Sequence, residues 1–282
     1  MVAPLLPVLD QNAVVKIAVV SCGWFSILPV HAAWIRDRGN RRYPLIDLGI
    51  AYIANAQVLR AVAALPKTRL GQEVLVVAEP PSARPALPAS VEEAIAVQRM
   101  WPSSRRAWRK DEVLAAIPGC TLAHFATDAT SLPGQPLKSS IAVAGDDSIE
   151  VHELMSVPFR SAPLCVLSAC QTAAVGYTVP DEGTGLVSGL LSARARGVIA
   201  AMWPVEDAYT KVLMTLLHKG LREIPDGRIA LSRAQSQMRG MTISEMRGIA
   251  PDMLDSGDFD GPPGSRPFEN PLLWAGFCYT GA

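Results

Sequence analysis

Short apolar runs rich in β-branched residues recur along the chain, and between them lie stretches whose apolar residues follow helical spacing. Val14–Ser21 (VVKIAVVS) reads as a strand that turns at Cys22-Gly23 into a second short stretch, Trp24–Leu28, as a hairpin would, until Pro29 stops it. The basic segment Arg36–Arg42 (RDRGNRR) reads as a solvated turn. Leu48–Ile53 is strand-like, Asn55–Leu65 helical, and Glu73–Ala78 (EVLVVA) a buried strand, which gives a β-α-β order. The proline-rich segment Glu79–Ala89 can be neither helix nor interior strand and is expected as an exposed loop. Ser90 then offers an N-cap with Glu93 at capping-box spacing, for a helix running to about Trp101.

Asp111–Ile117 reads as a short helix, and strands are expected at Cys120–Thr127, Ile141–Ala144 and Pro163–Ser168. The last of these (PLCVLS) is apolar almost throughout, as a strand covered on both faces must be. A helical pattern over Gly183–Leu191, a strand at Gly197–Met202, helices near Ala208–Gly220 and Arg228–Arg239, and a closing strand at Trp274–Tyr279 complete the pattern. The polar, Gly- and Pro-rich stretch Gly248–Pro271 before that last strand reads as a long loop. Strands alternating with helices predict an α/β fold with a mostly parallel sheet flanked by helices on both faces.

The chain has 282 residues, 49% of them hydrophobic and 18% charged, with 26 basic and 26 acidic side chains. A balanced net charge removes any global electrostatic reason to bind nucleic acid or anionic lipid. Five cysteines without a C-x-x-C pair give neither a disulfide framework nor a zinc site, so a reducing, cytoplasmic setting is expected. No run approaches the roughly 20 apolar residues of a membrane span. The apolar N-terminus lacks a basic lead-in and contains Pro4 and Pro7, so it does not read as a secretory signal. Its near-immediate entry into a strand suggests a piece of a longer chain.

In an open α/β sheet, reactive groups sit in loops beyond the carboxyl ends of the strands. Two strands here end in chemistry-bearing loops, one in His124-Phe125-Ala126-Thr127-Asp128 and the other in Leu167-Ser168-Ala169-Cys170-Gln171-Thr172. A thiol placed where Cys170 falls is either a nucleophile at the sheet edge or a buried structural cysteine.

HFAT and LSACQT, together with LPVHAAW (28–34), AAMWPVED (200–207) and NPLLWAGFCYTG (270–281), resemble the CHAT domain, a caspase-like, clan CD cysteine peptidase family often found behind tetratricopeptide repeats. The resemblance runs from about residue 14 to the C-terminus and implies a single caspase-like domain over residues 1–282. It implies that the cysteine of LSAC, here Cys170, attacks a peptide carbonyl, and that a histidine four residues beyond the HFAT histidine assists it. That histidine and the glycine after it are Asp128 and Ala129 in this chain.

An imidazole can stabilise a thiolate and then protonate a leaving amine. A carboxylate beside Cys170 would instead raise the thiol pKa, and an ordinary aspartate is a poor proton donor at neutral pH. His124 cannot substitute along an extended strand, because four residues at about 3.3 Å each put it about 13 Å from Asp128. The resemblance gives His124 and His31 structural places, whereas His152 and His218 read as surface or C-terminal helix residues without a partner at metal-ligand spacing.

Asp181 and Glu182 follow the cysteine in PDEG, and in the family a similar acidic stretch borders the cleft, where it could favour a basic side chain of a bound peptide. They could equally supply the negative charge that the next helix N-terminus favours. Trp203 is either a cleft wall or core packing. The expected function is a pseudopeptidase or regulatory peptide-binding module that needs no metal or cofactor. The alternative is a cysteine endopeptidase using Cys170 that is active only with a partner or another base. Expected partners are a polypeptide substrate or a regulatory protein, and the resemblance implies an association with tetratricopeptide repeats.

Overall fold

The computed structural model describes residues 2–20, 23–78, 88–132, 135–168, 185–249 and 261–282. A short helix α1 (Leu6–Gln11) leads into strand β1 (Lys16–Val20), a two-stranded ribbon of β2 (Ile35–Asp37) and β3 (Asn40–Arg42), and β4 (Gly49–Ile53). Then come α2 (Ala56–Ala63), β5 (Val74–Ala78), α3 (Pro88–Met100), β6 (Ser104–Ala107), α4 (Lys110–Ala116) and β7 (Leu122–Ala126). Three short strands, β8 (Ala129–Thr130), β9 (Ser140–Ala142) and β10 (Ser148–Glu150), form an antiparallel accessory sheet ahead of α5 (Val151–Ser156). The remainder is β11 (Leu164–Leu167), α6 (Leu186–Ser192), β12 (Gly197–Ala201), α7 (Asp207–Glu223), α8 (Gly227–Gly240), α9 (Ile243–Ile249), α10 (Pro271–Trp274) and β13 (Phe277–Gly281).

The main sheet has eight strands in the order β1-β4-β13-β12-β11-β7-β5-β6. It is parallel except where β13 runs antiparallel to β12. Its central strands are buried along their whole length because side chains of alternate residues enter two different cores. Val76, Val166 and Ile199 face α3, α7 and α8. Val77, Phe125, Leu167 and Val198 face α4, α5 and α6.

Several elements depart from the sequence reading. Trp24–Leu28 is no hairpin arm: a 3-10 turn covers Gly23–Ile27, entered through Gly23 at φ +58°, a backbone setting open to glycine. Arg36–Arg42 is the β2–β3 ribbon rather than a plain turn. Helix α3 begins at Pro88, so Ser90 lies inside it and is no N-cap. The edge strand β6 was not foreseen, and the strand expected at Ile141–Ala144 is β9 of the accessory sheet, whose partners β8 and β10 were not foreseen. Of the expected loop at Gly248–Pro271, residues 250–260 lie outside the described residues, as do residues 79–87 of the loop expected at Glu79–Ala89, whose last two residues instead begin α3. No helix among the described residues is long and apolar enough to cross a membrane.

Candidate functional site

Strands β7 and β11 are parallel neighbours, with Leu167 beside Phe125, so the chains leaving their carboxyl ends emerge side by side. The Ser168 amide still donates to the Phe125 carbonyl at 3.0 Å, two residues short of Cys170. Cys170, Asp181 and Glu182 themselves lie outside the described residues. On the β7 side, Asp128 is solvent-exposed. Its backbone is fixed from the accessory sheet: the Ala142 amide donates to the Asp128 carbonyl at 2.8 Å, and the Thr127 hydroxyl donates to the Ala142 carbonyl at 2.9 Å.

Behind Asp128 runs a buried polar relay. Trp101 Nε1 lies 3.0 Å from His218 Nδ1, His218 Nε2 lies 3.2 Å from His124 Nδ1, and His124 Nε2 lies 2.8 Å from a Glu93 carboxylate oxygen. An indole nitrogen can only donate, which makes His218 Nδ1 an acceptor and puts the imidazole proton on Nε2. That proton points at His124 Nδ1, so His124 carries its own proton on Nε2 and passes the bond to Glu93. Every link is therefore directed, from the Trp101 indole to the Glu93 carboxylate. Burial, followed by the neighbouring His124, holds His218 well below the ordinary imidazole pKa, in keeping with a neutral ring. Trp101 is seated against Gly71, at φ +82°, where a Cβ would fall 2.1 Å from the indole.

The four histidines of the chain are thereby all accounted for. His124 and His218 are completely buried and use both ring nitrogens. The expectation of a surface or helix-end place for His218 is overturned, because it points from α7 into the sheet-facing core. His31 is also buried: Nε2 donates to the Ala275 carbonyl at 2.9 Å, and Nδ1 accepts from the Tyr52 hydroxyl at 2.7 Å. Burial drives its pKa down to about 4, against the raising effect of the Ala275 bond. His152 stands exposed on α5, 3.1 Å from a Glu150 carboxylate oxygen.

Acidic groups gather at the same edge. Asp207, in the first turn of α7, has its carboxyl pKa raised by partial burial, then by the charge of Glu93, then by that of Asp128. Asp128 and Asp207 therefore sense one another, with Glu93 beneath them. Trp203 follows β12; it is partly buried, with its indole N–H donating to the Leu272 carbonyl at 3.1 Å. Among the described residues, no group of three His, Cys, Asp or Glu side chains is arranged to hold a metal ion.

The sequence reading missed Glu93, Asp207 and the inward turn of His218. A signal was available for two of them. Glu93 lies one helical turn before the buried Val97, and His218 falls in phase with Met214 and Leu221, so each is a polar residue on an apolar helix stripe.

A family model described as the CHAT domain matches residues 1–282. Among solved structures, one chain of a Saccharomyces cerevisiae separase–securin complex superposes with a TM-score of 0.58 at 13% identity, covering 94% of this chain and 15% of that one. A second structure of that complex gives 0.53 at 13% identity, covering 84% of this chain and 14% of the other. A complex of Porphyromonas gingivalis RgpB pro- and mature domains gives 0.48 at 12% identity, covering 83% and 55%. At 13% identity the likeness to the separase chains concerns the fold. No curated protein sequence matches the chain at a significant level.

Proposed function

The chain belongs to the CHAT domain family and has its caspase-like fold, and from that membership we propose that it is a pseudopeptidase that binds polypeptide without cleaving it. One observation carries this reading: no imidazole stands free beside Asp128, where the family keeps its catalytic histidine. Three of the four rings are buried with both nitrogens engaged, and the fourth lies on α5 beside Glu150. In this reading Cys170 occupies the nucleophile position without a base. On the same reading the Asp128 carboxylate would stand near that thiol and disfavour the thiolate through like-charge repulsion.

The cleft keeps a use without catalysis. Asp128 and Asp207 present negative charge to solvent, and Asp181 and Glu182 extend the acidic lining if they border the cleft as the family's similar stretch does. Trp203 serves as an apolar wall. Such a surface selects a basic peptide segment by electrostatic complementarity. That the matched separase is held in a complex with securin supports a polypeptide partner here too.

The test uses the purified chain with fluorogenic peptide pools and with a labelled Arg/Lys-rich peptide. We expect turnover no greater than that of Cys170→Ala, together with saturable binding of the basic peptide that Asp128→Asn with Asp207→Asn weakens by roughly tenfold. Robust turnover abolished by Cys170→Ala would overturn the pseudopeptidase reading and leave a peptidase with an unrecognised base.

A further inference from the structure

The β2–β3 ribbon does more than turn the chain. It folds towards the last turn of α8, and between them lies an open cavity of about 400 Å³. Arg38, Arg41 and Arg42 from the ribbon line it together with Arg239 from α8, nearly 200 residues later in the sequence. Four arginines thus share the lining with two aspartates, Asp37 and Asp47, and the Asp47 carboxylate already accepts from the Ser236 hydroxyl at 3.1 Å. Among the described residues, none of the four arginines has a carboxylate within ion-pair distance.

The floor is rigid. Tyr43 is 6% exposed and packs edge-on against the fully buried Trp274, with ring centroids 5.3 Å apart. The Arg239 guanidinium lies 5.2 Å from the centre of the Tyr43 ring. Stacking fixes the plane of that guanidinium, yet its buried Nε donates to no acceptor among the described residues. Arg41 is held in the same manner over the exposed Trp34 ring, 4.9 Å from its centre.

A helix dipole alone accounts for one cation in the last turn of α8. It does not account for three more brought to the same cavity from a separate ribbon, where four arginines outnumber the two aspartates and none is ion-paired among the described residues. Planar guanidinium forks with open donors match phosphate oxygens in pairs. Several of them around one small space match adjacent phosphate groups better than a single carboxylate. The cavity volume falls in the range of small-molecule sites, about 300 to 1,000 Å³.

We propose that this cavity binds a small polyphosphate, with Arg239 as its anchored donor and Arg38, Arg41 and Arg42 closing over the outer phosphates. The site is independent of the carboxyl-edge cleft and of whether the chain cleaves peptides.

The experiment titrates the folded chain with inorganic tripolyphosphate and, separately, with ATP at near-physiological salt, read by calorimetry and by intrinsic tryptophan fluorescence. Saturable binding with a Kd below about 100 µM is expected. Equal affinity for the two probes means that the phosphates alone are recognised, and tighter ATP binding means that the nucleoside contributes; either supports the proposal. Arg38→Ala with Arg41→Ala, both on exposed positions that leave the core intact, should weaken binding at least tenfold. Arg239→Lys, which keeps the charge but loses the stacked fork, should do the same, while Arg105→Ala on the distant edge strand β6 should change nothing. The proposal is overturned if neither probe saturates below 1 mM, if the cavity variants bind like the parent, or if only single-stranded RNA binds.

Discussion

Replacing Glu93 with alanine removes the terminal acceptor of the Trp101–His218–His124 relay. His124 is completely buried, so the bond from its Nε2–H loses its protein acceptor. A hydrogen bond to a charged group contributes about 1.5 to 3 kcal/mol, and an orphaned buried donor costs about 1 to 3 kcal/mol. The two figures describe the same loss from two sides and are not summed. Removing the carboxylate also ends the cost of holding a charge among apolar side chains, and His124 stays neutral. The loss should therefore fall near 2 kcal/mol, below the 3 to 5 kcal/mol of a broken buried pair with both partners charged. Glu93→Gln retains an oxygen that can accept from His124, so only the charge assistance disappears, at a cost of about 1 kcal/mol. In a chain of this size each kcal/mol lowers Tm by roughly 2 °C.

The assay is urea unfolding at pH 7, supported by imidazole nitrogen NMR shifts that report where each ring proton sits. Glu93→Ala should shift the midpoint about twice as far as Glu93→Gln. Trp101→Phe should release His218 from its single tautomer. If both Glu93 variants stay within about 0.5 kcal/mol of the parent, as surface substitutions do, or if His218 in the parent carries its proton on Nδ1, the directed relay is wrong.

Stability should fall as pH drops from 6.5 towards 4. The unfolded chain protonates His31 near 6.5 whereas the folded chain resists until about 4, a gap worth about 3 kcal/mol, and His218 acts in the same direction. His31→Gln should flatten that part of the curve, and parallel curves for parent and variant would contradict the assignment. Asp128→Asn should lower the Asp207 pKa, because the Asp128 charge is one of those raising it; carboxyl-carbon NMR titration reads this, and an unmoved Asp207 would separate the two groups. Asp128→His with Ala129→Gly should speed alkylation of Cys170 near neutral pH, measured against a Cys170→Ala blank, because an imidazolium lowers a thiol pKa where a carboxylate raises it. An unchanged pH profile in the folded variant would mean that Cys170 does not face position 128.

The central strands were legible because burial on both faces forces continuous apolar runs. Val74–Ala78 and Leu164–Leu167 could hardly be anything else. Strand β6 was not legible for the converse reason. It pairs with β5 on one side only, and SRRA shows the charged side chains of an edge rather than the pattern of a core strand. Trp24–Leu28 misled because an apolar stretch as short as this fits a tight turn as well as a strand, and tertiary packing decides between them. For the site, the neighbouring exits of β7 and β11 were legible only through the family resemblance, which places those strands side by side, and the structure has them adjacent. Glu93 was hidden by a local rule: at three residues from Ser90 it satisfies the capping-box pattern, yet its carboxylate turns to a histidine 31 positions away. Its place on the apolar stripe with Val97 was the opposing signal, and only the fold decides between those two uses of one side chain.

The surroundings of Asp128 allow the residue at this position to be exchanged without loss of fold, which the proposed function requires. What holds this stretch is backbone and Thr127: the Ala142 amide on the Asp128 carbonyl, the Thr127 hydroxyl on the Ala142 carbonyl, and the β8–β9 pairing through Ala129 and Ile141. None of these bonds uses the side chain at 128, which projects to solvent, where an aspartate carries little desolvation cost. The relay behind it is anchored in α3 and α7 and is equally indifferent to the exchange. Chemistry and architecture are thus separable at this residue. In the proposed cleft the acidic field has two linked effects, because the carboxylates that disfavour a thiolate at Cys170 are those that attract a cationic peptide. A bound basic side chain would offset the charges of Asp128 and Asp207, lower the raised Asp207 pKa, and by the same Coulomb effect make the thiol easier to ionise. Occupancy of the cleft and reactivity of its cysteine are then coupled through charge alone, with no movement of the backbone required.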